Sequence, residues 1–224
     1  MWSGLRGPAR PPVLVWTDAS WAAGEGRIGV VIYVPGETPG QGRPRVPHKW
    51  YYTTYAASPE VVARLLARRT LIGQLELLGV VMPYYSMPEL FAGREVLHYI
   101  DNTEALAASF QGSASSSDMA MLAHALWAIC TGLDARPWFF YVRSKANVAD
   151  LPSRDEFDFV CRELGAVYFP PRVPDFHVWA SPAAACEWAA MRARVAAPSC
   201  APPPPLQGDA PPRSRRDRKR PRGS

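Results

Sequence analysis

The sequence has no apolar run approaching the ~18 residues of a membrane span, so no transmembrane segment is expected. Cysteine is scarce. The four present (Cys130, Cys161, Cys186, Cys200) include no C-x-x-C pair and have no histidine at zinc-ligand spacing, which argues against a zinc finger and a disulfide scaffold. Buried free thiols in a reducing compartment are the expectation instead. No secretory leader is expected, because Pro8, Pro11 and Pro12 interrupt the place its apolar core would occupy. Net charge is also missing from most of the chain. Lys and Arg number 25 against 20 Asp and Glu, and residues 201–224, with seven basic and two acidic side chains, carry the whole excess of +5. The other 200 residues hold 18 of each sign, which argues against charge-driven wrapping of nucleic acid but leaves room for a local basic groove.

What is present is a chain with 48% hydrophobic residues and a clear order of patterns. Residues 1–12 are rich in Pro, Gly and Arg and are expected to be flexible. Residues 13–18 form a wholly apolar run ending in Thr-Asp, as a strand covered on both faces would. Residues 27–34 and 48–57 read as two more strands, separated by a Gly/Pro-rich loop over 35–47, and short connections suggest an antiparallel meander. Ser58-Pro59-Glu60 is a helix-start signal for a helix to about residue 69. A second helix covers 70–82 and is expected to stop at Pro83. A strand over 95–101, helices over 103–110 and 117–132, a strand over 137–142 and a helix over 147–164 complete the pattern. The expectation is an α/β fold with a five-stranded mixed sheet and helices on both faces. The domain spans 13–165, followed by a C-terminal extension over 166–197 with a short helix near 183–195. Residues 198–224 form a Pro/Arg-rich tail expected to be disordered.

Four acidic residues stand where acids are costly. Asp18 and Asp101 each end an apolar strand, and two parallel neighbouring strands would bring both carboxylates to one edge of the sheet, where α/β folds bind ligands. Glu76 is the only charged residue between 70 and 85 and shares a helical stripe with Ile72, Gly79 and Val80. An ionised carboxylate there needs a partner or a metal, and Gly79 one turn away permits close approach to another element. Asp150 opens the last helix; Asn147-x-x-Asp150 also has the form of a capping box. Converging carboxylates suit a pair of Mg²⁺ ions, hard cations that take oxygen ligands and act together on phosphodiesters.

The phrases T-D-A-S after an apolar strand, I-D-N-T-E-A-L at a second strand end, the lone helical Glu and the closing N-V-A-D-L-P-S-R together resemble the ribonuclease H domain of retroelement reverse transcriptases, of gypsy and DIRS type. The resemblance covers about residues 12–165 and implies a ribonuclease H-like fold. It implies Asp18, Glu76, Asp101 and Asp150 as catalytic, metal-binding acids. Asp18 would bridge two ions, Glu76 and Asp101 would complete the nucleophile side, and Asp150 would stand near the leaving oxygen. The implied activity is hydrolysis of the RNA strand of an RNA–DNA hybrid, with Mg²⁺ as cofactor or Mn²⁺ in its place. The implied partners are the hybrid and a reverse transcriptase polymerase domain, with no membrane, in the cytoplasm or nucleus. The histidine that many relatives carry before the last Asp is absent, its loop being Arg143-Ser144-Lys145.

Ser20, Asn102, Arg143 and Lys145 are candidate nucleic-acid contacts beside the acids, with turn chemistry or solvation as the alternative. Glu60 is the alternative to Glu76, although its position suits pairing with a helix N-terminus. Arg64, Arg68 and Arg69 could form a basic stripe or a solvated helix face; Trp50, Tyr51 and Tyr52 suit packing more than base stacking; His124 suits a packed or surface role. The Arg-rich run 213–222 reads as a nuclear-localisation or nucleic-acid-attracting segment. The rival functional reading is an inactive hybrid-binding or tethering module of the same fold; a third is an integrase- or resolvase-like nuclease.

Overall fold

A computed structural model describes residues 10–36, 46–179, 181 and 184–196. Most of the N-terminal arm, the middle of the 35–47 loop, the first residue of the 183–195 helix and the tail over 198–224 lie outside the described residues.

Strands β1 (Val13–Ala22), β2 (Glu25–Val34) and β3 (Lys49–Ala56) form the expected antiparallel meander. Ala23 and Gly24 link the first two with φ of 53° and 83°, the left-handed pair that a two-residue hairpin turn requires. That turn fixes the register that sets Asp18 opposite Gly29. β1 therefore runs four residues past Asp18, because pairing to β2 continues beyond the end of the pairing to β4.

The chain continues through α1 (Pro59–Val62), α2 (Ile72–Ser86), α3 (Pro88–Phe91), β4 (Glu95–Ile100), α4 (Thr103–Gln111), α5 (Ser117–Leu133) and β5 (Arg136–Tyr141). A 3-10 turn (Ser144–Ala146), α6 (Asp150–Ser153), α7 (Asp158–Arg162), β6 (Val167–Tyr168), α8 (Phe176–Trp179) and α9 (Ala184–Ala196) follow. The sheet order is β5-β4-β1-β2-β3-β6, with β4 parallel to β1, β5 parallel to β4 and β6 parallel to β3. The α/β class, the mixed sheet and helices on both faces are as the sequence and its resemblance imply. The sheet has six strands rather than five, since the two-residue β6 is too short to leave a periodic signal.

Helix lengths are where the pattern misleads. The helix expected over 58–69 is one turn, α1, after which the Leu66 amide donates to Asp118 Oδ2 and Gln74 Nε2 donates to the Leu66 carbonyl. Pro83 does not end α2. It sits in the last turn, and Met87 N–H still closes onto the Pro83 carbonyl. The helix expected over 147–164 is broken into α6 and α7 at Asp155, which takes φ 61° and is tied to Arg27 Nη1 at 3.0 Å.

α2 is buried nearly all round, the signature of a central helix. It packs on β1, β2, α4 and α5 over the main core, which includes Val15, Ile28, Leu75, Val80 and Met119. A smaller core of Val31, Tyr52, Ala149, Phe157 and Val160 lies on the opposite face, under α6 and α7. The strands and α2 thus meet at one edge with helices above and below.

Candidate active site

β1 and β4 pair in parallel up to Thr17 and Ile100, so the next residues, Asp18 and Asp101, stand side by side. α2 reaches the same edge because Gly79 faces the sheet: a Cβ there would lie 3.0 Å from Ile28 Cγ2 and 3.8 Å from Thr17 Cβ. One turn earlier, Glu76 Oε1 accepts the Ala19 N–H at 3.1 Å. One ligand oxygen each from Asp18, Glu76 and Asp101 fall within 4.8 Å of one another. Asp150, at the start of α6, lies outside this trio but lines the same open cleft of about 250 Å³, with Ala19, Asn102, Ser144 and Arg154.

Four contacts seat α6. Asn147 Nδ2 donates to the Thr17 carbonyl at 2.9 Å, and Ser20 Oγ donates to the Ser153 carbonyl at 2.7 Å. The Ser153 hydroxyl donates to the Asp18 carboxylate. Gly29 supplies the space: a Cβ there would overlap the Ala149 carbonyl and the Ser153 amide. The Asn147 side chain also accepts the Ala149 N–H, so it bridges α6 to β1 rather than closing a capping box on Asp150. Below the site, the neutral imidazole of His98 on β4 meets Thr17 Oγ1 on β1 and Tyr84 Oη on α2, both at 3.1 Å. Burial pushes that histidine down to about 3. The three elements that carry Asp18, Glu76 and Asp101 are therefore pinned together by one polar cluster.

The electrostatics are those of acids crowded out of water. Burial pushes Asp18 up to about 7; the Ser153 hydrogen bond and Arg154 oppose this, while Asp101 and Asp150 add to it. Burial and then the charges of Asp18 and Asp101 push Glu76 up to about 9, against the Ala19 amide. Glu76 Oε2 and Asp101 Oδ1 are buried with no hydrogen-bond partner, a condition that folded proteins rarely tolerate without a ligand. The donors are all hard carboxylate oxygens, they converge from three elements, and two lack protein partners. This set fits a divalent cation of the Mg²⁺ or Mn²⁺ kind.

The remaining candidates divide. Asn102 lines the cleft, and its side-chain oxygen caps α4 by accepting from Glu104 and Ala105 N–H. Ser20 stands beside the site with its hydroxyl turned to α6. Arg143 and Lys145 are exposed in the loop before Asp150, around Ser144. Glu60 is exposed in the first turn of α1 and does not line the cleft. Arg64 and Arg68 are held by Asp175 and by Glu104 and Asp118. Trp50 packs on Trp16 and Tyr33, Tyr52 is buried in the smaller core, and His124 is exposed on α5. Sequence reasoning assigned no role to Ser153, Arg154 or the Ala19 amide, and read Asn147 only as part of a capping box. Ser153 and Arg154 belong to the A-D-L-P-S-R phrase, but only the folded chain shows what they touch. Cys130 is a buried free thiol and Cys161 an exposed one. Among the described residues no helix is long and apolar enough to cross a membrane.

No protein-family description matches the sequence, and no curated protein matches it. Solved structures do. Ribonuclease H1 from the halophilic archaeon Halobacterium salinarum is 14% identical, with 66% of this chain and 98% of that one covered and a TM-score of 0.42. The N-terminal ribonuclease H domain of a Mycobacterium tuberculosis protein, determined as a fusion with maltose-binding protein, is 15% identical, with 68% and 98% covered and a TM-score of 0.43. LC11 ribonuclease H1, isolated from compost by a metagenomic approach and determined with an RNA/DNA hybrid, is 15% identical, with 62% and 91% covered and a TM-score of 0.37. The chemistry of the site follows from its own geometry, not from these likenesses.

Proposed function

We propose that the chain is a divalent-metal-dependent nuclease that hydrolyses the RNA strand of RNA–DNA hybrids, as a ribonuclease H domain of gypsy- or DIRS-type retroelement descent. The observation that carries this reading is the trio of Asp18, Glu76 and Asp101 within 4.8 Å, two of whose buried oxygens have no partner. Like charges this close repel, and a cation relieves the repulsion. Asp18, Glu76, Asp101 and Asp150 would hold Mg²⁺, or Mn²⁺ in its place. When bound, a metal pair activates water and stabilises the leaving oxygen of a phosphodiester.

The chain's own groups do the rest. The Ala19 amide fixes Glu76, and the Ser153 hydroxyl fixes Asp18, so two ligands are oriented before metal arrives. Asn102 commits its oxygen to α4 and leaves its amide nitrogen as a donor for substrate at the cleft wall. Ser20, Arg143 and Lys145 flank the track of the nucleic-acid backbone. Preference for RNA comes from contacts to 2′-hydroxyls in the minor groove. A reverse transcriptase polymerase domain is the natural partner of such a module, and the A-D-L-P-S-R phrase supports that descent.

The test is cleavage of a labelled RNA–DNA hybrid in Mg²⁺, beside the same protein carrying Asp101→Asn. Wild type should cut the RNA strand, and the variant should lose at least about 10²-fold in rate. A folded wild-type protein that binds hybrid but cuts nothing with either Mg²⁺ or Mn²⁺ would be a binding module. Cleavage of duplex DNA in preference to hybrid would place it among other nucleases.

A further inference from the structure

Arg154 is the one cation that lines the acid cleft among the described residues. Its Nε and Nη2 both lie 2.7 Å from Asp150 Oδ1, one helical turn away. We infer that Arg154 serves in two successive states: as the counter-ion of Asp150 while the acids lack metal, and as a ligand of the substrate phosphodiester once metal has displaced it. This rests on the nuclease reading above.

The pair is built to exchange. The Arg154 side chain is 59% exposed and that of Asp150 is 29% exposed. An i,i+4 pair so open to water is held weakly, unlike a buried bridge. Arg27 makes the contrast: its partner Asp155 is 4% exposed, on a backbone bend that anchors the bridge. Arg27 is structure; Arg154 is free to turn.

Position gives it somewhere to turn to. Arg154 stands on the wall shared by the acid cleft and a neighbouring groove of about 440 Å³ lined by Ser20, Arg27, Ser153 and Glu156. Arg143 and Lys145 do not line the cleft, so among the described residues an anion entering between the acids meets no other cation there. A guanidinium offers the same planar fork to a carboxylate and to a phosphate, so exchange of one for the other needs only a rotation of the side chain. Entry of metal at Asp150 removes the guanidinium's partner at the moment a phosphate needs one. Binding is thereby ordered, metal before substrate.

The test measures two affinities of the full chain, neither of them a rate. Mn²⁺ alone is titrated by calorimetry. Hybrid binding is followed by fluorescence anisotropy in Ca²⁺, whose looser coordination disfavours turnover. Arg154→Ala should bind Mn²⁺ about 2- to 5-fold more tightly, because a weak surface competitor is gone. It should bind hybrid about 10-fold more weakly, because a charge-assisted contact is lost. The slope of log affinity against log salt should fall by about one. Arg154→Lys, which keeps the charge without the fork, should lie between wild type and alanine in hybrid affinity, and it carries the test if the alanine variant does not fold. Gains and losses of opposite sign are what a merely structural residue cannot give. Mn²⁺ affinity that does not rise, or hybrid affinity that does not fall, in a folded variant overturns the inference while leaving the nuclease reading intact. A folded wild-type protein that binds neither Mn²⁺ nor hybrid overturns both.

Discussion

Asp18 and Glu76 carry their ordinary charge only at a price in stability. Both are held in the protonated range by burial and by neighbouring acids, Asp18 near 7 and Glu76 near 9. Their folded-state values lie above those of the unfolded chain, so the stability they contribute is fully present below about pH 4 and is lost as pH rises through the folded values. Metal-free protein should therefore lose stability from about pH 4 to 7 through Asp18 and onward to 9 through Glu76, at about 1.4 kcal/mol per pH unit for each proton. Urea midpoints in EDTA across this range check it. Added Mg²⁺ should flatten the profile, and Asp18→Asn or Glu76→Gln should raise the metal-free midpoint at pH 8. Midpoints that rise with pH would contradict the crowding described. At this scale the acids were legible because each breaks a local rule: a charge at the end of an apolar strand, or alone on a buried helix. Ser153 and Arg154 break none. A serine and an arginine after a proline are unremarkable until folding places one on Asp18 and the other on Asp150.

Elements carry the next lesson in the way α6 sits on β2. Only hydrogen fits at Gly29, because the Ala149 carbonyl and Ser153 amide occupy the place of a side chain. Gly29→Ala should destabilise the fold by about 1–3 kcal/mol and reduce cleavage further than that loss explains, because α6 carries Asp150 away from the other acids. Denaturation and single-turnover cleavage on the same sample check this; an active, unaffected variant would mean that α6 tolerates displacement. The strands of the meander and the parallel pair were readable from apolar runs and turn residues. The helix breaks were not. Asp155 leaves the helical region for φ 61° with its carboxylate on Arg27, 128 residues earlier in the chain, and no local pattern records that tie. Pro83 stays within α2 because a proline in the last turn can still accept the closing bond.

For the whole molecule, described residues between 169 and 191 belong to the packing of the core. Phe169, Phe176, Trp179 and Met191 are each at most 3% exposed and join the cluster built around α2. Arg194 donates to the Tyr85 and Ser86 carbonyls at 2.9 and 2.7 Å, satisfying the open end of the helix that holds Glu76. Ending the chain after residue 165 should cost on the order of 5 kcal/mol, from four buried side chains and that cap. That is comparable with the whole stability of a domain, so circular dichroism melts should show a large loss or no cooperative transition. An unchanged melt would make the extension an ornament. The class of the fold was legible from the order of its elements. The reach of the core was not, because a Pro-rich stretch with isolated aromatics has no period to read.

The bond from Asn147 to the Thr17 carbonyl spans 130 residues, and it holds the last acid against the first. On the ribosome, the first three acids emerge well before the segment that completes the cleft. A product of interrupted translation, or a fragment trimmed before α6, would carry only three of the four acids that line the cleft. The order of the acids along the chain thus withholds a complete cleft lining until synthesis has passed α6, and a stable fold until it has passed α9.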